Sequence, residues 1–225
     1  MPINREEAVS SNRVIIPIPL KESDITLERF KHAIQKNGYE LNAVGITTFG
    51  IRNHDMTAGI FNDFLGIYYI SGGKEYMEID TGTVDPGTYY LKHPMHPEGT
   101  AVMKFGFYKN SYSVGFHNGK YEALVQVKPI YFYRITKEQF EQDNQGVLAN
   151  KWKSDLNNKK CIFDKIGANQ HRAAASGTTE FIGMFSAGCQ VRNNAADYKK
   201  FIDTCKKAKQ KYFDYILLPS NDLFI

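Results

Sequence analysis

Phe64-Leu-Gly-Ile-Tyr-Tyr-Ile70, Ser71-Gly-Gly73 and Lys74-Glu-Tyr-Met-Glu-Ile-Asp80 read as two strands joined by a tight turn. β-branched and aromatic residues fill the first run, and paired glycines supply the positive backbone angles a two-residue hairpin needs. Alternation in the second run is imperfect, with Glu75, Met77 and Ile79 on one side and Tyr76, Glu78 and Asp80 on the other. Further strands are expected at Leu41–Thr47, Thr88–Leu91, Val102–Phe107, Ser113–Phe116, Ala123–Val127, Pro129–Ile135 and Phe213–Leu218. The chain is therefore expected to be mainly β.

Few helices are expected. Thr26 reads as an N-cap, Ile25 and Phe30 as a hydrophobic staple, and Gly38 as the stop of a helix over 26–37. Thr136-Lys-Glu-Gln139 is a capping box that opens a short helix before a polar stretch at 141–160. Tyr198, Phe201, Ile202, Cys205 and Ala208 mark an amphipathic helix over about 195–211. Two prolines make Val14–Leu20 an extended entry. The organisation expected is an N-terminal extension and helix (1–40) followed by one domain (41–225).

Composition bounds the function. Of 225 residues, 42% are hydrophobic and 13% aromatic, enough for a sizeable core. A net charge of +4 with cations spread along the chain does not point to nucleic acid. No apolar run is long enough to span a bilayer or serve as a signal peptide, so synthesis in a cytoplasm is expected. Three cysteines without Cys-x-x-Cys spacing suggest no metal site and leave at least one thiol unpaired within the chain.

Chemistry concentrates in Gly167-Ala-Asn-Gln-His171-Arg172 and Phe185-Ser186-Ala187-Gly188-Cys189-Gln190-Val191-Arg192. A nucleophilic thiol needs a base within reach and donors for the oxyanion it creates. Gly188 permits a tight turn before Cys189, and His171 can serve as base if the strands carrying the two residues lie side by side. Cys205, on the apolar stripe of its helix, reads as core, and His93 and His96 read as solvated loop residues.

His171, fourteen intervening residues and Ser186-Ala-Gly-Cys189 resemble the signature of the L,D-transpeptidase family. Met77 to Tyr90, with Thr81-Gly82 and Pro86-Gly87, is similar to a strand-turn-strand of that family, so the resemblance spans about 64–192. The Ser-Ala-Gly-Cys form also resembles a variant group associated with phage genomes and gut bacteria. The resemblance implies a β-sandwich-like catalytic domain with a few peripheral helices. It implies that Cys189 attacks a peptidoglycan stem peptide, with no cofactor, and that His171 shuttles the proton. The Arg172 carbonyl would hold the imidazole, and the Gly188 and Cys189 N–H groups would form the oxyanion hole, with Ser186 in the same motif. Water as acceptor would make the chain an L,D-carboxypeptidase or endopeptidase, and an amine would make it a transpeptidase. The chain departs from the family at Ala187, where a second histidine is usual, and at Gln190 and Val191. The substrate carboxylate then falls to Arg192 or Arg172. Tyr90 or its neighbour Tyr89, and His117, are expected to line the cleft. A wall-directed role after lysis or as a virion component is expected, with a non-catalytic wall-binding protein as the rival reading.

Overall fold

The computed structural model describes residues 19–55, 57–143 and 159–224. Among these described residues, eleven strands and four α-helices run in the order α1 (Leu27–Lys36), β1 (Thr47–Arg52), β2 (Asp63–Ser71), β3 (Lys74–Thr83), α2 (Thr88–Lys92), β4 (Thr100–Met103), β5 (Gly106–His117), β6 (Tyr121–Gln126), β7 (Ile130–Ile135), α3 (Lys137–Asp143), β8 (Lys160–Asp164), β9 (Gln170–Arg172), β10 (Gln190–Arg192), α4 (Ala195–Lys207) and β11 (Phe213–Pro219). The mainly-β expectation holds. Eight strands close into a barrel in the order β1-β11-β5-β6-β9-β10-β3-β2, and β4-β7-β8 form a separate sheet. The main sheet thus closes on itself, where the sequence reading expected the two facing sheets of a sandwich.

The opening hairpin folds as read. β2 and β3 pair antiparallel from Asp63↔Gly82 to Ser71↔Lys74, and Gly72 and Gly73 both take positive φ, +57° and +75°. Helix α1 is capped by Thr26, whose Oγ1 accepts from the Arg29 N–H at 3.2 Å. Its buried residues Phe30, Ala33 and Ile34 lie against the barrel, with the Phe30 ring 4.3 Å from that of Phe49. At α3 the capping box forms, with Gln139 Oε1 accepting from the Thr136 N–H at 2.9 Å and Thr136 Oγ1 from the Gln139 N–H at 3.2 Å.

Several expected elements are corrected. The strand placed at Leu41–Thr47 begins where that range ends. Val44 is 98% exposed, and the Gln210 amide brackets Ile46 from both sides, so this stretch is a tethered turn. β1 itself is buried at every position. Phe49 and Ile51 pack in the cluster that holds Phe30 of α1, and Thr48 turns into the barrel toward Gln170. A strand covered on both faces shows no alternation. Thr88–Leu91 is helix α2, started at Gly87, whose carbonyl accepts from the Tyr90 and Leu91 N–H groups. Val102–Phe107 divides between the two sheets: Lys104 N–H still bonds to Tyr131 in the small sheet, and β5 joins the barrel at Gly106. β8, β9 and β10 had no periodic signal, being five, three and three residues long. The entry at Val14–Leu20 and the polar stretch at 141–160 fall largely outside the described residues.

Replacing Phe30 with Ala should lower unfolding stability by about 3–5 kcal/mol, the cost of an aromatic cavity under α1. Urea titration measures it. A loss under about 1 kcal/mol would mean that α1 is not part of the cooperative unit.

Candidate active site

β9 and β10 run parallel, with Gln170↔Gln190, His171↔Val191 and Arg172↔Arg192 as partners. Alternation turns Gln170 and Gln190 into the barrel, where the Gln170 amide donates to Thr48 Oγ1 at 3.0 Å and Gln190 Oε1 accepts from the Tyr215 hydroxyl at 2.9 Å. The same alternation puts His171 and Cys189 on the other face. One ring nitrogen each of His117 and His171 and the Cys189 sulfur lie within 4.8 Å of one another. The two segments singled out in the sequence therefore meet.

His171 is 2% exposed. Its Nδ1 is 2.8 Å from the Arg172 carbonyl, which can only accept, so Nδ1 carries the proton and Nε2 presents its lone pair. Nε2 is buried and without a hydrogen bond. The Tyr121 hydroxyl lies 3.2 Å from Nδ1 and 3.4 Å from the same carbonyl. His117 stacks on His171 with centroids 4.0 Å apart and planes at 22°. Burial, aided by the His117 ring, drives the His171 pKa down to about 3, against the pull of the Arg172 carbonyl.

Cys189 is partly exposed in a cleft of about 280 Å³ whose lining includes Tyr90, His117 and His171. Burial of the sulfur pushes its pKa up to about 11, and the Asn169 backbone hydrogen bond works the other way. Its sulfur lies 3.7 Å from the Gly167 carbonyl, which accepts from the thiol. With a thiol above 9 and an imidazole below 6.5, the resting pair is neutral, a protonated thiol within 4.8 Å of an unprotonated imidazole.

The turn before Cys189 is built by Ser186 and Gly188. Ser186 Oγ donates to the Cys189 carbonyl at 2.9 Å and accepts from the Gly188 N–H at 3.2 Å. Gly188 sits at φ +128°, and a Cβ there would lie 2.8 Å from the Ala101 carbonyl oxygen. Two expectations change accordingly. The Gly188 N–H is spent on Ser186, so the Cys189 N–H is the motif's remaining oxyanion donor; it has no hydrogen bond among the described residues. Ser186 is buried and shapes the turn.

The arginines are not where a substrate carboxylate would meet them. Arg192 is 0% exposed, paired with Asp80 at 2.5 Å and stacked on Phe201 at 3.5 Å from the ring centroid. The Arg172 guanidinium lies over the Tyr121 ring at 4.5 Å and borders a different recess, with Tyr198 and Lys199. Tyr90 and His117 do line the cleft, while Tyr89 is 43% exposed and outside it. Gly87 ties the upstream match to this site. Its N–H donates to the Ser186 carbonyl at 2.9 Å, and a Cβ on it would meet the Gly183 oxygen at 2.1 Å.

Tyr121 and Asn169 are the residues that sequence reading missed. Asn169 Oδ1 accepts from the Gln126 N–H at 2.9 Å, and its amide lies 3.1 Å from His117 Nδ1. Tyr121 pairs with His117 across the β5–β6 hairpin, and that turn spacing was the available signal. Among the described residues, His117, His171 and Cys189 form the group that could hold a metal ion. Both His117 nitrogens already face the Asn118 and Asn169 amides, and near-parallel stacking aims the ring lone pairs side by side rather than at one point. The arrangement suits proton transfer better than ligation. Cys161 is exposed on β8 and Cys205 is buried in the core, and all three thiols are free.

No family model, no curated protein and no solved structure matches this chain.

Two pH effects follow from the neutral pair. Alkylation of Cys189 should rise steeply with pH toward about 11; a rate already flat above about pH 6 would mean a thiolate–imidazolium pair instead. Because folding lowers the His171 pKa, the folded chain binds fewer protons there than the unfolded one. Stability should therefore fall as pH drops from about 6.5 toward 3, and His171→Gln should flatten that loss in acid unfolding curves.

Proposed function

We propose that this chain is a peptidoglycan-modifying cysteine acyltransferase of L,D-transpeptidase type. The observation that carries the reading is the neutral His171 ring, with Nδ1 tied to the Arg172 carbonyl, Nε2 without a hydrogen bond, and a ring nitrogen within 4.8 Å of the Cys189 sulfur. As the sulfur attacks the carbonyl carbon of a stem-peptide amide, its proton passes to His171 Nε2. The oxyanion that forms takes the Cys189 N–H. His171 then returns the proton to the departing amine as the C–N bond breaks, leaving a thioester on Cys189. Water or an amine displaces the thiol, giving a free carboxylate or a new cross-link. The setting is read as wall degradation after phage lysis or from a virion.

The rival reading, a non-catalytic wall-binding or virion protein that keeps the fold, draws on a specific observation. Arg192, expected as one candidate for the substrate carboxylate, is committed to Asp80, and the Gly188 N–H, which the resemblance implies as an oxyanion donor, is committed to Ser186.

Incubation with muropeptide tetrapeptides, followed by mass spectrometry, should show amide cleavage or new cross-links. Cys189→Ala should abolish turnover, and His171→Ala should lower it by more than about 100-fold. Absence of turnover in the wild type, with sacculus binding that survives Cys189→Ala, would favour the rival.

A further inference from the structure

We propose that the Gln126 main-chain N–H, Asn169, His117 and Asn118 form a one-way hydrogen-bond relay. It fixes the His117 proton on Nε2 and leaves the Asn118 amide as an N–H donor for a carbonyl of the peptide bound in the cleft. The peptide class rests on the acyl-transfer reading, whereas the relay rests on the hydrogen-bond geometry alone.

The direction is set at the buried end. Asn169 is buried, and its Oδ1 accepts from the Gln126 main-chain N–H at 2.9 Å. A main-chain N–H can only donate, so reversing the Asn169 amide would set two donors against each other. Its NH2 group therefore faces His117 Nδ1 at 3.1 Å, and Nδ1 must accept. Burial and Lys120 hold the His117 pKa below its ordinary value. At about pH 7 the ring is thus neutral, and its single proton sits on Nε2. That N–H meets the Asn118 amide, 3.1 Å away. Asn118 is exposed and can turn its amide so that Oδ1 accepts. The group Asn118 has left to offer is then its NH2, and Asn118 lines the cleft together with Cys189.

Turn chemistry accounts for the residue type at 118 but not for this orientation. Asn118 and Gly119 take φ +49° and +68°, and the Lys120 N–H closes the turn on the His117 carbonyl at 2.9 Å. Asparagine tolerates that backbone, which gives the donor a fixed root on the β5–β6 hairpin. The two stacked histidines then carry opposite tautomers. His171 is protonated on Nδ1 against the Arg172 carbonyl, and His117 on Nε2 with Nδ1 filled by Asn169. One ring serves the thiol as acceptor, and the other, through Asn118, supplies the peptide with a donor. Lys120 stands on the same turn and is not among the cleft-lining residues, so it serves as a control.

The test has two arms on the full chain. In the first, nitrogen-15 NMR at about pH 7 should find His117 protonated on Nε2 and His171 on Nδ1, with signals assigned through His117→Gln and His171→Gln. Asn169→Asp keeps the shape but turns the donor into an acceptor, so it should place a proton on His117 Nδ1. A wild-type His117 protonated on Nδ1, or a folded Asn169→Asp with Nδ1 still bare, overturns the relay. If that variant folds poorly, the wild-type tautomers decide alone. The second arm titrates a stem tetrapeptide into the Cys189→Ala protein, where no thioester can form. Adding Asn118→Gly, which keeps the positive φ, should weaken binding about ten-fold, while adding Lys120→Ala leaves it unchanged. No binding at all, unchanged affinity in Asn118→Gly, or an equal loss in Lys120→Ala overturns the carbonyl contact. Absence of turnover by the wild type removes the proposed function and leaves both readouts standing, because neither needs catalysis.

Discussion

The parallel pairing of β9 with β10 is the constraint on which the site depends. Each strand is three residues long, too short to hold its place through its own ladder. Two barrel-interior glutamines supply what the ladder lacks. Gln170 reaches Thr48 on β1, and Gln190 reaches Tyr215 on β11, across the barrel from the strands that carry them. Tyr112 adds a third tie, donating to the Ala168 carbonyl at 2.8 Å. Buried polar groups of this kind are costly when unpaired, so a one-residue slip of either strand would leave several without partners. A slip would also turn His171 or Cys189 into the barrel. Register and chemistry are thereby fixed together.

Around that pair, the chain spends its polar groups on geometry more than on charge. Ser186 closes the turn before Cys189, the Arg172 carbonyl sets the imidazole tautomer, and Asn169 holds His117 in the stack. The two guanidiniums of the motif support the scaffold. Arg192 bridges β10 to Asp80 on β3 and lies under Phe201 of α4, so removing either partner would leave a charge buried and poorly compensated. Among the described residues no helix is long and apolar enough to cross a membrane.

Much of this was legible before folding. The Gly72-Gly73 hairpin, the Thr26 and Thr136 caps and the α4 stripe depend on neighbours close in sequence, and each formed where expected. Signals failed where distant partners override local pattern. β1 is masked by burial on both faces. α2 was read as a strand because Thr88-Tyr-Tyr-Leu91 favours one, yet Gly87 is pinned to the Ser186 carbonyl and the chain turns into a helix. Closure of the sheet into a barrel depends on β11 meeting both β1 and β5, a pairing between strands far apart in sequence.

The sequence by itself determined the chemistry available: a Cys that can act as nucleophile, a His that can act as base, and a glycine before the Cys. Only the tertiary structure decided how those groups are used. Whether Gly188 could donate to an oxyanion turned on where the Ser186 hydroxyl points, and whether Arg192 could bind a carboxylate turned on its burial beside Asp80 and Phe201. Residue type states what a group can do, but desolvation and prior hydrogen bonds set what remains free to react. Those come from partners that no local stretch of sequence contains.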